Sequence, residues 1–333
     1  MDDRARFREI FCAVMDDHGA GLPDHRPCDE ALTRVAGEPA PTGRPVVLGP
    51  ARSELLALAV PGIGWQCVRE WLDYEDSAVA HVSGQGYELR LLEVDGLSSS
   101  ARNAEQIRDQ VLALPEADRR RPLLLIGYSK GIGDIMEALV RYPEVASRTA
   151  AVASLAGAVR GSPLAEDATQ SMLDILSHFP GAECDEGDGG ALHDLLPSVR
   201  NDWLHEHALP PGIRFYTVAS WPDPERISRA LRPTWRKLGR EADARNDGQL
   251  VFYDQIMPGS TLLAFANADH WAMAVPIARQ HRLAAAVAVN HNDYPREALM
   301  EALLRYVEED LAPEGRPATA GGPSGHRPAA GAR

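Results

Sequence analysis

Short, nearly continuous apolar runs alternate along the chain with stretches in which apolar residues recur every three or four positions. The first pattern predicts buried strands, the second amphipathic helices. LLALAVPG at 55–62, YELRLLEV at 87–94, PLLLIG at 122–127, TAAVASLAG at 149–157, IRFYTVAS at 213–220 and STLLAFAN at 260–267 read as strands. Helices are expected from about Gln66 to Ala80, from Ala101 to Leu114 and from Lys130 to Arg141. The last of these carries Ile132, Ile135, Met136, Leu139 and Val140 on one face. Apolar strands separated by helices predict a mostly parallel central sheet with helices on both faces, an α/β fold. Ligands of such sheets bind at the carboxyl ends of the strands.

The ends of the chain read differently. Phe7, Ile10, Phe11, Val14 and Met15 recur at helical spacing, so residues 1–45 are expected to hold an amphipathic helix and then a linker rich in Pro, Gly and Asp. The α/β domain is expected over 46–312, interrupted at about 158–209 by a segment that reads as a lid or cap insertion. Residues 313–333, rich in Pro, Gly and Ala, bury too little apolar surface to order and are expected to be disordered.

The 333 residues carry a formal net charge of −14, which argues against nucleic acid and anionic membranes as partners. No apolar run approaches the ~20 residues of a membrane span. The opening MDDRARFREIFCAVMDDHG lacks the basic and apolar regions of a secretory signal. Cys12, Cys28, Cys67 and Cys184 form no CxxC pair, and the plain expectation is free thiols in a reducing cytoplasm.

Candidate chemistry gathers where strands end. Gly127-Tyr128-Ser129-Lys130-Gly131 fits G-x-S-x-G, set directly between an apolar strand and an amphipathic helix. That is the setting of a nucleophile elbow, whose strained turn requires glycines two residues either side of the serine. Ser129 is therefore the expected nucleophile, and it needs a base to take its proton. His270, in the loop just past the 260–267 strand, is the candidate. His281 and His291 lie within or after an Ala-rich run, and His178, His193, His205 and His207 precede the acid. For that acid, Asp247 in the Asn246-Asp247-Gly248 turn is preferred, and Asp223, three residues beyond Ser220, is the alternative. An oxyanion hole would use the Lys130 amide and one from Pro61-Gly62-Ile63-Gly64-Trp65, with Ile63 first and Gly64 next.

In order and spacing, PGIGW, GYSKG, NDGQL and NADHW resemble the α/β-hydrolase family over residues 46–310. The S-K-G elbow and N-D-G turn resemble its bacterial lipase- and esterase-like members. The interval from the 213–220 strand to Asp247 is longer than the family's usual one, which keeps Asp223 in play. This resemblance implies hydrolysis of a small-molecule carboxylic ester through an acyl-serine, with no metal or organic cofactor. A thioesterase or acyltransferase would use the same machinery, and a silent binding module would keep the fold alone.

Other features are discounted. Met172, Leu173, Ile175, Leu176 and Phe179 fit an acyl pocket or ordinary core equally well. The acidic run Glu183–Asp188 lacks the ligand spacing of a calcium loop, and His193, His205 and His207 lack a recognisable zinc pattern. Trp65, Tyr128 and Trp271 flank the predicted site loops, as pocket wall or as packing.

Overall fold

The computed structural model describes residues 1–68, 78–168, 187–280 and 282–312. Among the described residues, six strands form one parallel sheet: β1 (Leu56–Val60), β2 (Glu88–Leu91), β3 (Leu123–Tyr128), β4 (Thr149–Leu155), β5 (Arg214–Ser220) and β6 (Thr261–Ala266). Their spatial order is β2-β1-β3-β4-β5-β6. The order reverses between β1 and β3, so the crevice at their carboxyl ends is where a ligand site is expected in an open α/β sheet.

Strand side chains alternate between two separate cores, which explains runs with no polar face. Ala57, Ala59, Leu124, Ile126, Ala151 and Ala153 point into one, with Phe7, Phe11, Leu303 and Val307 from the helices above. Leu56, Leu58, Val60, Leu123, Leu125 and Val152 point into the other, against Ile107, Val111, Ile135 and Leu139. The helices of the second layer include Ser100–Leu112 and Gly131–Arg141. Among the described residues, no helix is long and apolar enough to cross a membrane.

Some expected elements have different extents. Of the helix expected from Gln66 to Ala80, residues 69–77 lie outside the description, and the described flanks hold short helices at Trp65–Val68 and Ala80–Gly84. β2 is only four residues long, although Leu92 still donates its N–H to Ala59 O at 2.8 Å. Of the segment 158–209, expected to be a lid or cap insertion, residues 169–186 lie outside the description, among them Met172, Leu173, Ile175, Leu176, Phe179 and Glu183–Glu186. Its described parts include a helix at Pro197–Glu206, which packs Trp203 and Leu204 onto the second core. The tail from Pro313 also lies outside the described residues.

The first 33 residues are knitted into the body. Helix α1 (Arg4–Asp17) buries Phe7, Ile10, Phe11 and Val14, and lies on the helix Arg296–Leu311. Before it, Asp2 pairs with Leu262; after it, Leu32 pairs with Ala266 in the opposite sense. Both contacts use the free edge of β6, so the segment caps an edge that would otherwise present unpaired backbone groups.

One expectation is corrected here. Cys12 and Cys28 are not free thiols but form a disulfide, with Cα atoms 5.1 Å apart. Their separation of 16 residues conceals the proximity, because the chain turns after α1 and brings α2 (Cys28–Ala31) back against it. Cys184 and the side chain of Cys67 lie outside the description. A bridge closing a loop of this size stabilises by about 3 kcal/mol. Cys12→Ser with Cys28→Ser should therefore lower the unfolding free energy by about 2–4 kcal/mol in urea titrations. Wild-type protein in dithiothreitol should shift in the same direction.

Candidate active site

β3 leads straight into the helix Gly131–Arg141 through Ser129, whose φ is +53°. Serine rarely adopts this left-handed conformation, and its neighbours hold it there. Ser129 donates its N–H to Leu155 O at 3.2 Å and accepts from Ala158 N at 2.9 Å. The glycines are steric requirements. A Cβ on Gly127 would stand 2.6 Å from Ile132 Cα, and one on Gly131 would stand 2.3 Å from Val60 O. Gly62, just past β1, is equally constrained, since its Cβ would meet Ser129 Cβ at 2.8 Å.

The structure brings Ser129, His270 and Asp247 into one hydrogen-bonded chain. Ser129 Oγ lies 2.9 Å from His270 Nε2, and His270 Nδ1 lies 2.8 Å from Asp247 Oδ2. His270 also donates its backbone N–H to Asp247 O at 3.0 Å, so main chain and side chain bind the same residue. Asp247 is fully buried and His270 is 2% exposed. The carboxylate is held by its own turn: Oδ1 accepts the backbone N–H groups of Gln249 at 2.9 Å and Leu250 at 2.7 Å. Gly248 has φ +93°, which is why a glycine follows the aspartate.

Asp223 is not brought to His270. Its Oδ2 accepts from Asn267 Nδ2 and its backbone N–H donates to Asn267 Oδ1, both at 2.8 Å. Asp269, although next to His270 in sequence, accepts from Ser228 N and Ala272 N. Burial raises the pKa of its carboxyl. Lys130 sends its ammonium away from Ser129 to Asp134, forming a buried ion pair at 2.6 Å. The backbone N–H groups of Ile63 and Lys130 donate to no acceptor among the described residues, whereas Gly64 donates to Gly96 O at 3.1 Å.

Tyr128 spans the site from below. Its hydroxyl donates to His270 O at 2.7 Å and its ring lies 5.2 Å from the imidazole. Burial lifts the phenol pKa well above its ordinary value, so it remains a donor. Tyr128 and Trp65 also line an apolar cleft with Val60, Pro61, Met273 and Val275. The other aromatic flanking the loops, Trp271, is half-buried.

Two supporting residues are not among the site residues expected from the sequence. Gln255 accepts from Ser220 N at 2.6 Å, and donates to Ser220 O at 3.1 Å and to Asp247 Oδ2 at 3.3 Å. It thereby ties the end of β5 to the buried carboxylate. Asn267 joins Asp223 to the loop carrying His270, and its amide groups also bind Glu30 O and Ala31 O. Gln255 lies in no motif, and Asn267, although it opens NADHW, gives no sign of this role, because the partners of both are brought near only by the fold.

A solved structure described as that of the metagenomic carboxyl esterase MGS0156 is similar over nearly the whole chain. It is 44% identical, with a TM-score of 0.87, covering 93% of each chain. The chain belongs to the α/β-hydrolase superfamily. Mature Bacillus licheniformis lipase BlEst2 shares the fold at 18% identity and a TM-score of 0.54, over 70% of this chain and 89% of that one. Neither a protein-family model nor a curated protein matches the sequence.

Gln255→Leu keeps the side chain's approximate size but leaves both main-chain groups of Ser220 without their partner. The cost of burying such groups unpaired predicts a loss of about 2–4 kcal/mol in unfolding free energy. Urea denaturation followed by circular dichroism would measure it.

Proposed function

We propose that this α/β-hydrolase is a carboxylic-ester hydrolase that acts through an acyl-serine. The continuous chain from Asp247 through His270 to Ser129, with the serine on a strained elbow, carries the reading. The 44% identity to a carboxyl esterase supports the same substrate class.

In the resting site, Ser129 donates its hydroxyl hydrogen to His270 Nε2, while the Nδ1–H donates to Asp247. On attack, Ser129 Oγ bonds to the acyl carbon as His270 takes the proton, and the carbonyl electron pair moves onto oxygen. The Ile63 and Lys130 amides are the proposed donors to that oxyanion, at the meeting of the β1 loop and the elbow. Collapse of the intermediate expels the alcohol oxygen, protonated by His270, and leaves the acyl-serine. Water then repeats the sequence, with His270 again first base and then acid. Asp247 fixes the imidazole tautomer and stabilises the imidazolium. The apolar cleft beside Tyr128 and Trp65 suits the hydrocarbon part of the acyl group.

The cytoplasmic setting expected from free cysteines loses part of its support with the Cys12–Cys28 bond, since disulfides persist mainly in oxidising compartments.

A fluorophosphonate probe should label the wild-type chain and leave Ser129→Ala unlabelled. Retained labelling in that variant, or none in folded wild type, would remove Ser129 from the assigned role. In aryl-ester turnover, Asp247→Asn should reduce kcat by about 10⁴-fold, as loss of the tautomer-fixing carboxylate does in other serine triads. Asp223→Asn should change it no more than a few-fold. The reverse order would assign the acid to Asp223.

A further inference from the structure

A second cluster of functional groups shares no residue with the chain from Asp247 through His270 to Ser129. His18 at the end of α1, His81 in the helix Ala80–Gly84 and Glu301 in the helix Arg296–Leu311 converge from distant parts of the sequence. His18 Nδ1 stands 2.9 Å and His81 Nε2 2.6 Å from the same carboxylate oxygen, Glu301 Oε2. All three atoms lie within 4.8 Å of one another. Glu301 is completely buried, while the two imidazole side chains keep 20% and 12% exposure.

We propose that His18 Nδ1, His81 Nε2 and Glu301 Oε2 bind one divalent transition-metal ion, with Zn²⁺ the best match, which clamps the first helix to the last. Two imidazole nitrogens and one carboxylate oxygen form a donor set that zinc accepts with a water in its fourth position. Metal–ligand bonds of about 2.0–2.2 Å place neighbouring donors roughly 3.3 Å apart. The His–Glu pairs therefore need to open by less than about 1 Å. The exposed sides of both rings provide the route in and the place for water.

The surroundings fit as well. Glu301 Oε1 is held by Arg305 Nε at 2.7 Å, which leaves only Oε2 to face the histidines. When Nδ1 of His18 binds the ion, its proton must reside on Nε2. Asp17 Oδ2 stands 3.2 Å from that nitrogen, ready to accept it. A carboxylate bonded to the distal nitrogen of a metal-bound histidine fixes its tautomer and strengthens it as a ligand. Local sequence spacing could not reveal the set, since His18 and Glu301 are 283 residues apart.

The test uses the full chain without an affinity tag, stripped by a chelator and kept at about pH 7.5, above the ordinary imidazole pKa. Calorimetric titration with Zn²⁺ should show one saturable site, and the ion should raise the melting temperature. Co²⁺ in the same site should give the intense visible absorption of four-coordinate cobalt. His18→Ala and His81→Ala should each weaken binding by about 100-fold or more, at least the effect of losing an outer-shell partner. Both should retain wild-type aryl-ester turnover, which reports that they are folded. If either alanine variant fails to fold, His18→Gln and His81→Gln replace them, keeping a hydrogen-bond donor toward Glu301. Absence of saturable binding by the wild type, or binding undiminished in folded variants of both histidines, would overturn the proposal.

Discussion

The crowding of three backbone segments around Ser129 governs the rest of the molecule. The end of β1, the end of β3 and the start of the helix Gly131–Arg141 approach so closely that Gly62, Gly127 and Gly131 have no room for a Cβ. Crowding of this kind does not relax by small shifts, because the backbone atoms involved belong to paired strands and a buried helix. Val60 pairs with Gly127 in the β1–β3 ladder, which fixes the approach of the Gly62 loop to the serine. The left-handed serine costs about 1–2 kcal/mol, and the surrounding ladders hold it in place.

From this point the other groups are located by caps on strand ends. Gln255 saturates the last residue of β5 and reaches Asp247. Asn267, one residue past β6, joins the Asp223 turn to the segment around Ala31, only three residues before His270. Ser220 Oγ donates to Ala268 O and draws the ends of β5 and β6 together. The histidine and the aspartate thus stand on loops, but each loop is fastened to the sheet by buried amides.

Much of this was legible in the sequence wherever the cause is local. The elbow announces itself because its steric demand falls on glycines within five residues, between an apolar strand and an amphipathic helix. The parallel sheet is legible because strands buried on both faces read as nearly continuous apolar runs. The two aspartates could not be separated in the same way. Asp247 and Asp223 both occupy plausible turns, and only the long path of residues 221–246 decides which carboxylate faces His270. The Cys12–Cys28 bridge escaped for a similar reason, since it depends on a chain reversal after α1. Gln255 and Asn267 are ordinary amides whose roles exist only in three dimensions.

The contacts of α1 also bear on how the chain reaches this state. Its buried face, its flanking pairings with Leu262 and Ala266, and the bidentate hold of Glu309 on Arg6 all involve the last quarter of the sequence. During synthesis the first helix emerges long before these partners exist. Phe7, Ile10, Phe11 and Val14 must therefore remain exposed, or be sheltered by another protein, until β6 and the helix Arg296–Leu311 leave the ribosome. Contacts between residues so far apart close large loops and come at a cost in folding rate. The bridge to Cys28, by contrast, joins residues only 16 apart and needs no partner from the end of the chain.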